Sequence, residues 1–292
     1  MAEIQIGIQA NAWLREFPIA EKLDTVLQQI ADSGYSGVEI GYHFLAGGRF
    51  NAIRPGGAPP AGDSDVTTIP DPAEVGALIT AHGLQLAALH TGGNFYDEET
   101  ARAQTLPNLE IIAAFTKEIG CRNVLISPAA KQEGPKTPRE LDVQNQVFAE
   151  ACALFAAHGA HCFHHTHGPE LEDDFREVRH ILELDPAAIS LAYDIANAAR
   201  VIGPTAAVDF IDSFRSRIGY VHYKDCRSDG VLVEAIGDGA IDWHAVAASL
   251  RGSDYGGWVV VEIEPGHGME AHRSVKEDAL LSRQCIRETL GA

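Results

Sequence analysis

The feature that most constrains the fold is a regular alternation of short apolar runs with longer amphipathic runs along all 292 residues. Short runs rich in Val, Ile, Leu and aromatic residues predict strands, and apolar residues spaced three and four apart predict helices between them. The predicted strands cover residues 4–9, 37–40, 84–89, 123–126, a stretch from residue 161, 189–193, 218–223 and 258–263. Eight such pairs with apolar strands predict an α/β fold, a single (β/α)₈ barrel over residues 1–292.

One connection does not fit the alternation. Residues 41–70 follow the second predicted strand, are rich in Gly and Pro, and show neither a helical nor a strand pattern. Loops of this length inside a compact domain are usually functional or disordered. We therefore expect a lid over a site or an arm that faces a partner, with Arg49 and Arg54 as its cations, and a disordered surface loop is the alternative.

Charge and cysteine content exclude several classes of partner. The chain has 22 basic and 41 acidic residues, a formal charge of −19, which repels phosphate backbones and anionic lipid. Its five cysteines are odd in number and form no C-x-x-C pair, as is typical of a reducing compartment. The N-terminus lacks a signal-peptide pattern, and no run of 18 apolar residues occurs. We expect a cytoplasmic protein without nucleic-acid or membrane partners.

Ionisable residues gather where the predicted strands end. Active sites of such barrels lie at the C-terminal ends of the strands, because the variable loops converge there. Alternation along the fifth strand places Phe163, His165 and His167 on one face, so the two imidazoles can converge. A solvated or core histidine tract is the alternative. The strand-end set as a whole comprises Glu39, His90, Glu133, His165, His167, Asp194, His222, Lys224, Asp225, Glu262 and Glu264.

Four of these residues suit a single divalent cation. His165, Asp194, His222 and Glu262 end the fifth to eighth strands, which are neighbours in the barrel. Two imidazoles and two carboxylates form a mixed site for Mn²⁺, Co²⁺, Fe²⁺ or Zn²⁺, and are less typical of Mg²⁺. Lys224 shares a face with His222, where it would stabilise an oxyanion or pair with Asp225 or Glu264.

Several segments resemble a known family. The runs FHHTHGPEL (163–171), AYDIAN (192–197), IGYVHYKD (218–225) and WVVVEIE (258–264) resemble strand-end motifs of the xylose-isomerase-like sugar phosphate isomerase/epimerase superfamily, and GYSGVEI (34–40) is similar to its second strand. The resemblance implies a TIM barrel with a divalent metal that isomerises, epimerises or dehydrates sugars and cyclitols. It implies metal ligands at Asp194, His222 and Glu262.

The chain departs from the family pattern at two positions. His165 stands where many epimerases of the superfamily carry a glutamate that binds the metal and moves a proton. A histidine-rich fifth strand resembles the branch that includes inosose dehydratases and related lyases. Asn197 stands where a histidine is common.

The expected chemistry is proton abstraction beside a carbonyl. A cation polarises the carbonyl of a hydroxyketone and stabilises the enediolate, while Glu262 or His165 takes the proton and Lys224 assists. We expect His90, Glu133, His167 and Glu264 to contact substrate. The first hypothesis is a metal-dependent isomerase or epimerase of a keto-sugar or related polyol.

Other functions remain open from the sequence. The second hypothesis is a dehydratase that acts on an inosose or 3-keto-sugar by β-elimination, and the third is a non-enzymatic sugar-binding barrel. An endonuclease on this fold needs a basic groove, which the charge of −19 argues against. The chain lacks a Gly-rich phosphate cradle, which favours an unphosphorylated substrate. We expect a homo-oligomer.

Overall fold

The barrel predicted from the sequence is present. The computed structural model describes residues 3–16, 19–45, 71–264 and 272–292. Within these ranges eight parallel strands follow chain order around a closed barrel, and the first pairs with the last. The strands are β1 (Gln5–Gln9), β2 (Gly37–Gly41), β3 (Gln85–Gly93), β4 (Asn123–Pro128), β5 (His161–His165), β6 (Ile189–Asp194), β7 (Ile218–Tyr223) and β8 (Trp258–Val261). This confirms the (β/α)₈ TIM barrel.

Helices cover the outside of the barrel. They are α1 (Ile19–Asp32), α2 (Tyr42–Leu45), α3 (Pro72–Ala81), α4 (Glu98–Thr100), α5 (Leu106–Ile119), α6 (Pro138–Ala157), α7 (Glu172–Ile181), α8 (Ile195–Ile202), α9 (Pro204–Phe214), α10 (Trp243–Gly252) and α11 (Val275–Leu290). Local sequence fixes several starts. Thr137 and Glu140 form a reciprocal capping box at α6, and Ser274 and Glu277 do so at α11. None of the helices in the described ranges is long and apolar enough to cross a membrane.

Three elements differ from the sequence prediction. The spacing of apolar residues over 98–119 predicts one continuous helix, but a π turn at Ala101–Thr105 interrupts it just before Pro107, which has no N–H to donate to the preceding turn. Helix α8 was not predicted. Strand β3 continues to Gly93, so His90 lies within it. Of the predicted lid at 41–70, only the turn of α2 is described, and residues 46–70 lie outside the described part of the chain.

An apolar layer fills the barrel and sets the height of the site. The layer contains Ala87, Ala88, Leu125, Phe163, Ala192, Tyr220, Trp258 and Val260. Gly37 is required beside it, because a Cβ there would lie 2.3 Å from a Trp258 ring carbon. Side chains alternate along a strand, so the residue two positions beyond each layer member faces the same interior. On β5 to β8 those residues are His165, Asp194, His222 and Glu262.

Candidate active site

The four predicted metal ligands converge directly above the apolar layer. One potential ligand atom from each of His165, Asp194, His222 and Glu262 lies within 4.8 Å of the other three. His165 Nε2 is 2.8 Å from His222 Nδ1, and Glu262 Oε2 is 2.9 Å from the same Nδ1. Asp194 Oδ2 lies 3.8 Å from His165 Nε2. We call these four residues the ligand cluster.

The ligand cluster fits a divalent ion. Asp194 Oδ2 is buried and has no hydrogen-bond partner within the described ranges, while Glu262 Oε2 is buried against His222 Nδ1, itself a potential ligand atom. Buried polar atoms are rarely left without a partner, so such atoms mark places where an ion or water belongs. Carboxylate oxygens and imidazole nitrogens together suit Mn²⁺, Co²⁺, Fe²⁺ or Zn²⁺.

Neighbouring groups hold three of the ligand side chains in place. His222 Nε2 is 2.8 Å from Glu39 Oε2, and His165 Nδ1 is 3.2 Å from Ser127 Oγ. Asp194 Oδ1 accepts the backbone N–H of residue 197 at 2.8 Å and thereby caps α8. Partners of this kind orient metal ligands and fix the tautomer of an imidazole.

Lys224 lies beside the ligand cluster with its ammonium almost fully buried. Its Nζ is 3.2 Å from Glu262 Oε1, 2.5 Å from Glu264 Oε2 and 3.8 Å from Asp194 Oδ2. Of the two ion pairs considered from the sequence, the one with Glu264 is therefore present. Asp225 instead accepts the N–H groups of residues 226, 237 and 239 and of the Trp243 indole, so it organises the loop after β7.

The charged groups shift one another's pKa values. Burial alone would lower the pKa of Lys224, but Glu262, Asp194 and Glu264 outweigh it and raise that pKa. Burial would raise the pKa of Glu262, yet Lys224 and His222 hold it well below its usual range. Burial dominates at Asp194 and raises its pKa to about 6 despite Lys224. Glu262 is thus an anion and Lys224 a cation at neutral pH.

The two clustered histidines shift in opposite directions. Burial, with the nearby His167 and His222, lowers the pKa of His165 well below its usual range. Burial would also lower the pKa of His222, but Glu39 and Glu262 raise it to about 10. His165 is therefore a neutral imidazole at neutral pH and has one lone pair to offer a cation. His222 depends on its carboxylate neighbours for its protonation state.

The residues predicted to contact substrate fall into two groups. His90 and His167 lie beside His165, with ring centroids 5.0 and 4.5 Å from its ring, and Glu264 contacts Lys224. Glu133 lies exposed in the loop between β4 and α6. Their role in substrate binding, and the catalytic roles of Glu262, His165 and Lys224, stay predictions.

Sequence reasoning gave no role to two residues that support the ligands. Glu39 was recognised only as a polar residue at the end of β2, and Ser127 was assigned to the start of a loop. The signal for Ser127 was its position two residues beyond Leu125, which lies in the interior layer. Nothing in the local sequence shows that Glu39 reaches a histidine 183 residues away.

Comparison with known proteins agrees with this geometry. A family model described as xylose isomerase-like TIM barrel matches residues 27–285. The chain belongs to the xylose isomerase-like TIM-barrel family. The resemblance read from the strand-end motifs is thereby confirmed.

Named relatives point to carbohydrate enzymes. The chain is 25% identical to an inosose dehydratase of Geobacillus kaustophilus, with 82% of this chain and 80% of that protein covered. It is 29% identical to inosose dehydratase 2 of Bacillus cereus over 99% and 98% of the two chains. Among solved structures, an L-ribulose 3-epimerase superposes with a TM-score of 0.78 at 19% identity, covering 100% of this chain and 95% of that chain. At that identity the last likeness shows the fold alone.

Proposed function

We propose that this protein is a divalent-metal-dependent carbohydrate lyase that dehydrates an inosose or a related keto-sugar. Proton abstraction beside a carbonyl is the step it shares with the isomerase or epimerase placed first from the sequence. The observation that carries the proposal is the pair formed by Glu262 and Lys224, whose charged atoms lie 3.2 Å apart at the edge of the ligand cluster. The relatives named inosose dehydratase, aligned over most of the chain, support the same substrate class.

The ligand cluster would hold the cation and Glu262 would act as the base. A divalent ion bound there polarises a substrate carbonyl and acidifies the neighbouring C–H. Lys224 binds Glu262 through Oε1, which leaves Oε2 directed at the cluster. The Glu262 carboxylate takes the proton from that carbon.

Lys224 completes the elimination. As the C–O bond of the β-hydroxyl breaks, the ammonium gives one proton to the departing oxygen, which leaves as water. The amine of Lys224 then recovers a proton from the protonated Glu262, 3.2 Å away. The pair returns to its starting charges, and the substrate has lost one molecule of water.

Epimerisation is the second candidate. Inversion by two bases needs a second base on the opposite face of the substrate. At the end of β5 this chain has His165, whose Nδ1 bonds to Ser127 and whose Nε2 points into the ligand cluster. His167 is the remaining group on that side, since its Nδ1 has no hydrogen-bond partner within the described ranges. Burial, with His90 and Lys224 nearby, lowers the pKa of His167, so its imidazole is neutral and can accept a proton.

Incubation in D₂O separates these functions. The protein, purified and loaded with Mn²⁺ or Co²⁺, is given an inosose or a ketohexose, and products are followed by mass spectrometry. A lyase releases a product lighter by one water, whereas an epimerase returns a sugar of unchanged composition that carries one deuterium. A binding protein turns over neither, and its sugar affinity does not respond to chelation. Recovery of only deuterated epimer would refute dehydration. The cytoplasmic location and the homo-oligomer remain predictions from the sequence.

A further inference from the structure

Hydrogen bonds, together with one close contact between a histidine and a carboxylate, form a ring around the ligand cluster. Glu39 Oε2 is 2.8 Å from His222 Nε2, and His222 Nδ1 faces His165 Nε2 at 2.8 Å. His165 Nδ1 is 3.2 Å from Ser127 Oγ, which is 2.6 Å from His90 Nε2. His90 Nδ1 is 3.3 Å from Glu39 Oε1 and so returns to the starting carboxylate. We call these five residues the hydrogen-bond ring.

The Glu39 carboxylate is surrounded by donors on both oxygens. Besides the two histidines, the Tyr220 hydroxyl donates to Oε2 and the Gln9 amide donates to Oε1, each at 2.7 Å. The Gln9 amide also lies 3.5 Å from His90 Nδ1, a longer approach than that of His90 to Glu39. Glu39 is fully buried, so water cannot replace any of these partners. As an ionised carboxylate it can only accept.

We propose that Glu39 is a positioning residue that fixes the tautomers of both metal-binding imidazoles, that of His222 directly and that of His165 through His90 and Ser127. This inference rests on the proposed function, which requires a cation at the ligand cluster. A carboxylate at Glu39 demands N–H at His222 Nε2, and its Oε1, which lies nearer to His90 Nδ1 than the Gln9 amide does, favours N–H there as well. In the neutral imidazole that binding of a cation requires, His222 Nδ1 is then a lone pair directed at the cluster.

The same argument applies to the other members of the hydrogen-bond ring, His90, Ser127 and His165. With its hydrogen on Nδ1, His90 has a lone pair at Nε2 and accepts the Ser127 hydroxyl proton. Ser127 Oγ in turn accepts from His165 Nδ1–H. His165 Nε2 is then a lone pair, so both imidazoles face the cation correctly. One carboxylate therefore sets both ligands, although it contacts only one of them.

Replacing the carboxylate by an amide reverses part of the ring. In Glu39→Gln, an NH₂ group must stand at one of the two oxygen positions and donate. If the NH₂ group faces His222, the His222 imidazole accepts at Nε2 and carries its hydrogen on Nδ1. If it faces His90, the protons shift through Ser127 and place hydrogen on His165 Nε2. In either orientation one ligand nitrogen presents N–H to the cation.

Metal affinity and imidazole tautomers test this inference. Binding of Zn²⁺ is measured by competition with a chromophoric chelator for wild type, Glu39→Gln, Ser127→Ala and Ser127→Thr. Glu39→Gln should bind about 10–100-fold more weakly, the range typical for loss of a ligand's hydrogen-bond partner. Ser127→Ala should also weaken binding, and Ser127→Thr, which keeps the hydroxyl, should restore it. Glu177→Gln is the matched control and should bind as wild type does, because Glu177 is a buried carboxylate of α7 that pairs with Lys136 at 2.7 Å and belongs to neither the ligand cluster nor the hydrogen-bond ring.

A spectroscopic readout separates tautomer control from a loss of packing. In the zinc-loaded protein labelled with ¹⁵N-histidine, two-bond ¹H–¹⁵N spectra distinguish hydrogen on Nδ1 from hydrogen on Nε2. Wild type should show His165 and His90 with hydrogen on Nδ1 and His222 with hydrogen on Nε2. Ser127→Ala combined with Glu39→Gln should lose less affinity than the sum of the single losses, because the relay to His165 is already broken.

The outcomes distinguish failure of this inference from failure of the proposed function. Wild type that binds no divalent metal would overturn both. Wild type that binds Zn²⁺, with Glu39→Gln binding equally well or with unchanged tautomers, would overturn the role of Glu39 alone. Strictly additive losses in the double variant would overturn the relay through Ser127.

Discussion

Replacing Lys224 by Met should destabilise the metal-free protein strongly and in a pH-dependent way. The change keeps most of the length of the unbranched side chain but removes an ammonium 3.2 Å from Glu262 and 3.8 Å from Asp194. At 3.2 Å two unit charges attract by about 5 kcal/mol at an effective dielectric constant of about 20. Glu264 is 42% exposed, so water screens its pair and it contributes little. Because desolvation offsets part of the attraction, we expect a loss of about 3–5 kcal/mol, as for a buried pair that loses one partner.

The pH dependence of that loss follows from the pKa shifts. Lys224 is the main favourable influence that depresses the pKa of Glu262, so Glu262 contributes stability above its unfolded pKa and loses it as pH falls through the folded value. Without the ammonium, Glu262 and Asp194 lose their lysine partner, so both carboxylates bind protons more readily. Protonation becomes easier as pH falls, so the stability gap between wild type and variant should narrow from pH 8 to pH 5.

Urea denaturation in EDTA, followed by circular dichroism at pH 8 and pH 5, measures the gap. Wild type provides the reference at each pH, and the slope of the transition must match between the two proteins for the comparison to hold. An equal gap at both pH values would refute the electrostatic account and indicate that Lys224 acts by packing alone.

Three further substitutions test separate parts of the site. His222→Ala should lose most bound metal, by elemental analysis, with an unchanged circular dichroism spectrum, because the apolar layer lies below it; full occupancy would reject it as a ligand. Glu262→Gln should lower kcat by about 10²-fold or more while retaining more metal than His222→Ala, and normal solvent deuterium exchange would leave it as a ligand only. Asp225→Asn should cost about 1–3 kcal/mol in urea denaturation, because an amide cannot accept all four N–H groups that the carboxylate does, and unchanged stability would contradict its role in the loop.

The secondary-structure elements and the convergence of the ligand cluster were predictable because they follow local rules. The spacing of apolar residues gave the eight strands, and alternation along each strand placed His165, Asp194, His222 and Glu262 on the interior face. Helix α8 was missed because its Ala-rich run directly follows β6 without a loop. The Asp194 cap on residue 197 was the available signal for its start.

The hydrogen-bond ring could not be predicted because it depends on barrel closure. Its members lie on β2, β3, β4, β5 and β7, and the two that meet at Glu39 Oε2 and His222 Nε2 are 183 residues apart. No local pattern encodes which side chains meet across the interior of a barrel. The front half of the chain therefore supplies Glu39, His90 and Ser127, which contact the predicted ligands of the back half directly or through one another.

Unequal anchoring of the predicted ligands would allow one carboxylate to serve both as a ligand and as the proposed base. Asp194 is tied to the start of α8 through Oδ1, and His222 to Glu39 through Nε2. Glu262 follows the end of β8, where its backbone N–H bonds to the carbonyl of residue 223, and within the described ranges its side chain is hydrogen-bonded through Lys224. A proton acceptor must change its distance to the substrate during the reaction, whereas a ligand that defines the site must stay fixed. Among the described residues, the side chain of Asp194 is hydrogen-bonded to a backbone N–H, whereas the side chain of Glu262 is hydrogen-bonded to the Lys224 side chain. This difference supports the assignment of Glu262 as the base.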